Sequence, residues 1–172
     1  SKNKIGALIP YGRGVANLIN KHVTNSPEAS IVEIGPGTGG ITRVIAPKLH
    51  QSKSVLIEIN ADFVKTLKEA YPRLTVCQGS IEDLTSTLQK HGLNKVDCFI
   101  CSIPWSLYDA AFHEKTLKAI SSHLAPQGVF ITIFNAHSRW LPNGRRFKQR
   151  LKRTFDTVSR SRTIWLNAPP AY

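Results

Sequence analysis

Apolar residues along the 172-residue chain follow two alternating rhythms. Five short, strand-like runs occur at Ile31–Ile34, Ser54–Ile59, Leu74–Gly79, Val96–Cys101 and Val129–Phe134. They are rich in branched and aromatic side chains, and several are apolar throughout, the pattern of strands buried on both faces. Between them the apolar positions fall three and four apart: Val15, Leu18, Ile19 and Val23; Ile41, Val44, Ile45 and Leu49; Phe63, Val64, Leu67 and Ala70. These spacings predict helices, joined by further ones over Asp83–His91 and from about Leu107 to His123. Pro47 predicts a short or kinked second helix, Asp62 is expected to cap the third, and Gly92 to close the fourth. Strands alternating with helices predict an α/β domain, a mainly parallel sheet with helices on both faces. One domain is expected over 1–172: a lid or helix segment at 1–28, then a core at 29–172 that carries a basic segment at 139–162.

In such sheets ligands bind beyond the carboxyl ends of the strands. Four stretches converge there: Glu33 to Gly39, Glu58, Gly79 to Glu82, and Cys101 to Trp105. The first is a glycine turn opening a helix, where the backbone approaches a ligand that a Cβ would repel and helical N–H groups point at it. Its letters fit two patterns. Gly35, Gly37 and Gly40, with Glu58 about 20 residues on, satisfy the dinucleotide fingerprint of a Rossmann-like unit. Glu33, Gly35, Gly37 and Gly39 satisfy [D/E]-x-G-x-G-x-G, the first motif of methyltransferases. A chain of this length leaves no room for a separate substrate domain, which counts against a dehydrogenase.

Charge adds a second constraint. Lys and Arg outnumber Asp and Glu 23 to 11, a formal +12, so polyanions are the favoured partners: an anionic membrane surface or nucleic acid. From Arg139 to Arg162 nine basic residues face one acid, Asp156, with Phe147, Leu151 and Phe155 four apart. That is a basic amphipathic helix. It is either a core helix with a solvated face or a membrane-surface element with its apolar side toward acyl chains. No RNA-binding module is evident. Cys77, Cys98 and Cys101 lie in strand-like runs without paired spacing, which suggests a reducing compartment and no metal site. No run approaches a membrane span. The chain opens on Ser1 and has no Met, so residues are expected upstream.

Taken with the rest of the chain, Glu33 to Gly39 resembles the first motif of class I S-adenosylmethionine-dependent methyltransferases. Gln78-Gly79-Ser80-Ile81-Glu82-Asp83-Leu84 is similar to their adenine-holding segment, and Ser102-Ile103-Pro104-Trp105 to the acceptor motif of amino-group methyltransferases. The ending Trp165-Leu166-Asn167-Ala168-Pro169-Pro170-Ala171 and the Gly6 to Arg13 stretch resemble bacterial phospholipid N-methyltransferases. The resemblance implies a Rossmann-like class I methyltransferase fold and methylation of phosphatidylethanolamine toward phosphatidylcholine, by a cytoplasmic, monomeric enzyme peripheral to the membrane. It implies that Glu33, Gly35, Gly37 and Gly39 cradle the methionine end of S-adenosyl-L-methionine. Glu58 would hold the ribose, Ser80 and Ile81 would flank the adenine, and Ile59 and Ser102 would also contact the cofactor. Ser102 to Trp105 would position the acceptor, Trp105 by cation–π attraction, with Tyr11, Arg13 and Tyr108 near the substrate. Ser80 departs from the acid more usual there, although Ser80 or Asp83 also fits a helix cap. The chain ends where the family's last strand is expected to continue. An RNA adenine N6-methyltransferase, a small-amine N-methyltransferase, and a cofactor-binding membrane protein without catalysis are the rival expectations.

Overall fold

The computed structural model describes residues 12–134, 141–161 and 163. In chain order the elements are α1 (Arg13–Asn20), β1 (Ser30–Ile34), α2 (Thr42–Leu49), β2 (Lys53–Glu58), α3 (Ala61–Ala70) and β3 (Thr75–Gln78). After a 3-10 turn at Ile81–Asp83 come α4 (Leu84–Lys90) and β4 (Val96–Cys101); after another at Trp105–Leu107 come α5 (Ala110–His123), β5 (Leu124–Thr132) and α6 (Pro142–Thr154). The five strands lie in the order β3-β2-β1-β4-β5, and every pairing is parallel. The order reverses between β1 and β4, and the carboxyl edge at such a switch point is where sheets of this kind bind ligands.

Alternation along each strand sorts the core into two layers. Ile31, Leu56, Val76, Cys98 and Ile100 face α1, α2 and α3 through Val15, Ile19, Ile45, Leu49, Val64 and Leu67. Val32, Ile34, Val55, Ile57, Phe99 and Cys101 face α4, α5 and α6 through Leu84, Leu88, Leu117, Ile120 and Phe147. The mainly parallel sheet with helices on both faces is therefore present as expected. Every residue of β1 is buried, as befits a central strand.

Local details differ from the sequence expectations for identifiable reasons. Asn60, not Asp62, caps α3: its Oδ1 accepts from the N–H groups of Asp62 and Phe63 at 2.8 and 3.3 Å. The shorter reach to the second and third N–H groups favours the residue just outside the helix. β5 begins at Leu124 rather than Val129, because Leu124 pairs with Val96 before the chain bulges out and rejoins at Val129 opposite Cys98. α1 is a packed element rather than an open flap, with Val15, Ala16 and Ile19 buried. The apolar side of α6 faces the protein, not outward: Phe147 is fully buried, and Leu151 and Phe155 pack on the same cluster. Its basic residues Arg145, Arg146, Lys148, Lys152 and Arg153 are exposed.

Phe147 ties α6 to the rest of the chain, so Phe147→Ala is expected to lower stability by about 3–5 kcal/mol, the cost of a large core truncation, measured by urea denaturation.

Candidate active site

The strand ends are laced together by backbone hydrogen bonds. Gly35 N–H donates to the Ile57 carbonyl at 2.9 Å, Gly79 N–H to Glu58 at 3.0 Å, and Ser102 N–H to Ile34 at 2.9 Å. The residues that sequence singled out on four separate stretches thus stand side by side on one edge. Gly35, Gly37 and Gly39 take φ of +70°, +57° and +80°. Only glycine adopts that region cheaply, which is why the turn is built from it. A Cβ at Gly35 would meet the Ile103 side chain at 3.2 Å, so the glycine turn and the acceptor turn are in direct contact. A Cβ at Gly37 would meet nothing within 4 Å, leaving open space over the middle of the turn.

Two carboxylates organise this edge. Glu58 is buried at the end of β2; its Oε2 accepts from Gly37 N–H and its Oε1 from Asn60 N–H, both at 2.9 Å. It holds the glycine turn and the start of α3 together, and each oxygen keeps a lone pair for a further donor. Glu33 is fully buried beneath the turn. Its Oε2 accepts from the Thr42 hydroxyl at 2.8 Å, while Oε1 has no partner. Burial pushes its pKa up to about 7, opposed by the Thr42 hydrogen bond and reinforced by the charge of Glu58. Oε1 is thus a buried acceptor that the chain itself leaves unsatisfied.

The acceptor turn has a defined shape. Pro104, at φ −80° and ψ 80°, centres an inverse γ-turn in which Trp105 N–H donates to the Ile103 carbonyl at 3.0 Å. The Pro104 carbonyl accepts from Leu107 N–H and the Trp105 carbonyl from Tyr108 N–H. The Ser102 hydroxyl is buried without a partner. Trp105 lies elsewhere than expected. Its ring is 1% exposed, stacks on Phe147 with centroids 4.2 Å apart, and donates its indole N–H to Thr132 Oγ1 at 2.7 Å. It is packed into the core, because α6 brings a matching ring; it offers no free face to a substrate cation. Tyr108 is half-buried and stacks on Phe112 at 3.9 Å.

The remaining expected residues are divided. Ser80 caps the 3-10 turn, its Oγ accepting from Glu82 N–H at 3.2 Å; Ile81 is buried, and Ile59 stands 63% exposed beyond β2. Arg13 is exposed at the start of α1, whereas Tyr11 lies outside the described residues. Sequence reasoning did not find Thr42 or the place of His113. His113 is buried, with Nε2 2.7 Å from the Trp105 carbonyl. A carbonyl only accepts, so that nitrogen carries the proton. Burial lowers the pKa of His113 and keeps it neutral, opposed mainly by that hydrogen bond. The signal for Thr42 was available: it is the first hydroxyl of the helix that opens directly behind Glu33. Among the described residues no group of His, Cys, Asp or Glu is arranged to hold a metal ion, and no helix is long and apolar enough to cross a membrane. Two surface depressions of about 260 and 300 Å³ lie at the amino ends of the strands, away from this edge.

The parallel sheet, the glycine turn and the acidic residue closing β2 are common to Rossmann-like dinucleotide-binding domains and class I methyltransferases, and the family match decides for the methyltransferase. The chain belongs to the methyltransferase domain family, which matches residues 25–165. It is 26% identical over 159 residues to an ornithine lipid N-methyltransferase of Singulisphaera acidiphila, covering 90% of this chain and 79% of that protein. It is also 46% identical over 56 residues to a ribosomal RNA small subunit methyltransferase A of Mesoplasma florum, covering 31% of this chain and 20% of that one. A TehB-like SAM-dependent methyltransferase of Corynebacterium glutamicum shares the fold, at 17% identity and a TM-score of 0.63, covering 82% and 71% of the two chains. The chain is a methyltransferase that uses S-adenosylmethionine. The edge fits that molecule on its own terms, with an orphaned carboxylate oxygen, a buried unpaired hydroxyl and open space over Gly37.

A carboxyl with a higher pKa in the folded than in the unfolded chain binds its proton more tightly when folded. The stability Glu33 lends in its neutral form is therefore complete below about pH 4.5 and lost as pH rises through about 7. The loss is expected to be on the order of 3 kcal/mol without cofactor. Denaturation midpoints between pH 4.5 and 8 should fall more steeply for the native chain than for Glu33→Gln.

Proposed function

We propose that this methyltransferase acts on the amine of a phospholipid headgroup, phosphatidylethanolamine or a close relative, at a membrane surface. The observation that carries an amine acceptor is the direct contact between Gly35 and the Ser102–Pro104 turn, which sets an acceptor-shaped turn against the cofactor cradle. The similarity to a lipid N-methyltransferase over most of the chain supports the lipid, as do the exposed basic residues of α6.

In this reading Glu33 Oε1 receives the α-ammonium of S-adenosylmethionine, Glu58 accepts from the ribose hydroxyls, and Ile59, Ser80 and Ile81 border the adenine. When bound, the cofactor supplies a methyl group already made electrophilic by its sulfonium. The protein's contribution is alignment and the exclusion of water. Ser102 orients the acceptor nitrogen through its hydroxyl, and Ile103 walls the cradle at Gly35. Trp105 supports the turn from beneath, and Tyr108 and Arg13 border the acceptor side. The amine must arrive neutral, and no essential base is assigned.

A second reading is methylation of an RNA adenine, favoured by the local match to the ribosomal RNA enzyme. Radiolabelled S-adenosylmethionine offered to mixed phosphatidylethanolamine vesicles and to total RNA separates the two. Label is expected in the lipid; label only in RNA contradicts the lipid reading. Ser102→Ala should lower kcat/KM for lipid roughly tenfold, about one hydrogen bond's worth, without shifting the denaturation midpoint.

A further inference from the structure

Two elements beside the acceptor turn, the 3-10 turn that follows it and α6, carry exposed apolar and basic side chains that the core does not require. Leu107, at the end of the 3-10 turn that follows Ser102–Pro104, is 65% exposed. Leu141, the residue that caps α6, is 43% exposed. The two elements that carry them are locked together by the Trp105–Phe147 stack. The half-buried Tyr108–Phe112 ring pair adjoins Leu107 in sequence and extends the apolar rim along the start of α5. Past Leu141, α6 turns its apolar stripe inward and shows Arg146, Lys148, Lys152 and Arg153 to solvent.

We propose that this face is a membrane-docking surface, in which Leu107 and Leu141 enter the headgroup–acyl boundary of an anionic bilayer while the basic face of α6 rests on the headgroups. The proposal rests on the lipid reading above and adds the orientation of the protein to it. Single exposed leucines are ordinary. Two on adjoining elements, next to the turn that must reach a headgroup amine and beside a strip of cations, have the composition of an interfacial anchor. Charge complementarity selects the occupant: Lys and Arg near an anionic leaflet attract it within a Debye length, and the leucines add a salt-insensitive component that a hydrophilic polyanion would not use. The amphipathic helix does not insert its own stripe, since Phe147, Leu151 and Phe155 are committed to the core. The anchor is made instead by Leu141 at the start of the helix and by Leu107 at the end of the 3-10 turn that follows the acceptor turn.

The test is sedimentation of the purified chain with vesicles of phosphatidylglycerol and phosphatidylethanolamine, at low and high salt, for the native protein, Leu107→Ser/Leu141→Ser and Arg146→Glu/Lys148→Glu. Neither leucine packs in the core, so thermal midpoints should match and report any misfolding. The leucine variant is expected to lose at least tenfold in vesicle partitioning at both salt concentrations, while methyl transfer to a monomeric short-chain phosphatidylethanolamine is unchanged. The charge variant is expected to lose partitioning mainly at low salt. Native-like partitioning of the leucine variant overturns the proposal, as does binding that high salt abolishes whether or not the leucines are present, the mark of a purely electrostatic polyanion site. If no lipid is ever methylated, the lipid reading fails, yet leucine-dependent sedimentation still upholds the docking surface.

Discussion

The carboxylate of Glu58 is the constraint on which the site depends. It closes β2, and from there it fastens the middle of the glycine turn through Gly37 and the first turn of α3 through Asn60. Two loops that belong to different crossovers are thereby fixed to one another. The glycines make this possible: three residues with positive φ allow the chain to leave β1, pass within reach of β2 and enter α2 without side chains in the way. The result is a backbone surface facing open space, with an unsatisfied acid beneath it.

The opposite wall is built on a different principle. The acceptor turn after β4 is short and Pro-shaped, and its stiffness comes from below. Trp105 is held by an indole hydrogen bond to β5, by a stack on Phe147 from α6, and by the hydrogen bond that neutral His113 on α5 donates to its carbonyl. Three elements that follow the turn in sequence converge under it. A helix rich in cations on its outer face is in this way part of the support of the acceptor turn. This links whatever α6 meets outside the protein to the geometry of the site.

Much of this was legible in the letters. The strand runs and helical spacings read correctly because parallel strands buried on both faces leave little freedom in composition. The glycine turn read correctly because only glycine occupies that backbone region without cost. What did not read was the destination of side chains whose partners lie far along the chain. Trp105 next to an acceptor motif looks like a substrate platform until Phe147 is known to lie against it. The stripe of Phe147, Leu151 and Phe155 gives the direction of an apolar face, but periodicity cannot say whether protein or lipid covers it. The role of Asn60 was missed for a more local reason. Cap choice turns on one residue of register, and Asp62 is as good a capping residue as Asn60 by type alone.

The site depends most directly on binding of the cofactor at the edge that Glu58 organises. Calorimetric titration of S-adenosylhomocysteine into the native chain and into Glu58→Gln tests it, since the amide keeps the size of the side chain while losing its charge and half its accepting capacity. Saturable one-to-one binding to the native chain, weakened by about tenfold or more in the variant, is the predicted result, the change expected from roughly 1.4 kcal/mol of lost hydrogen bonding to a charged group. Equal affinity in the two proteins would contradict the site as described.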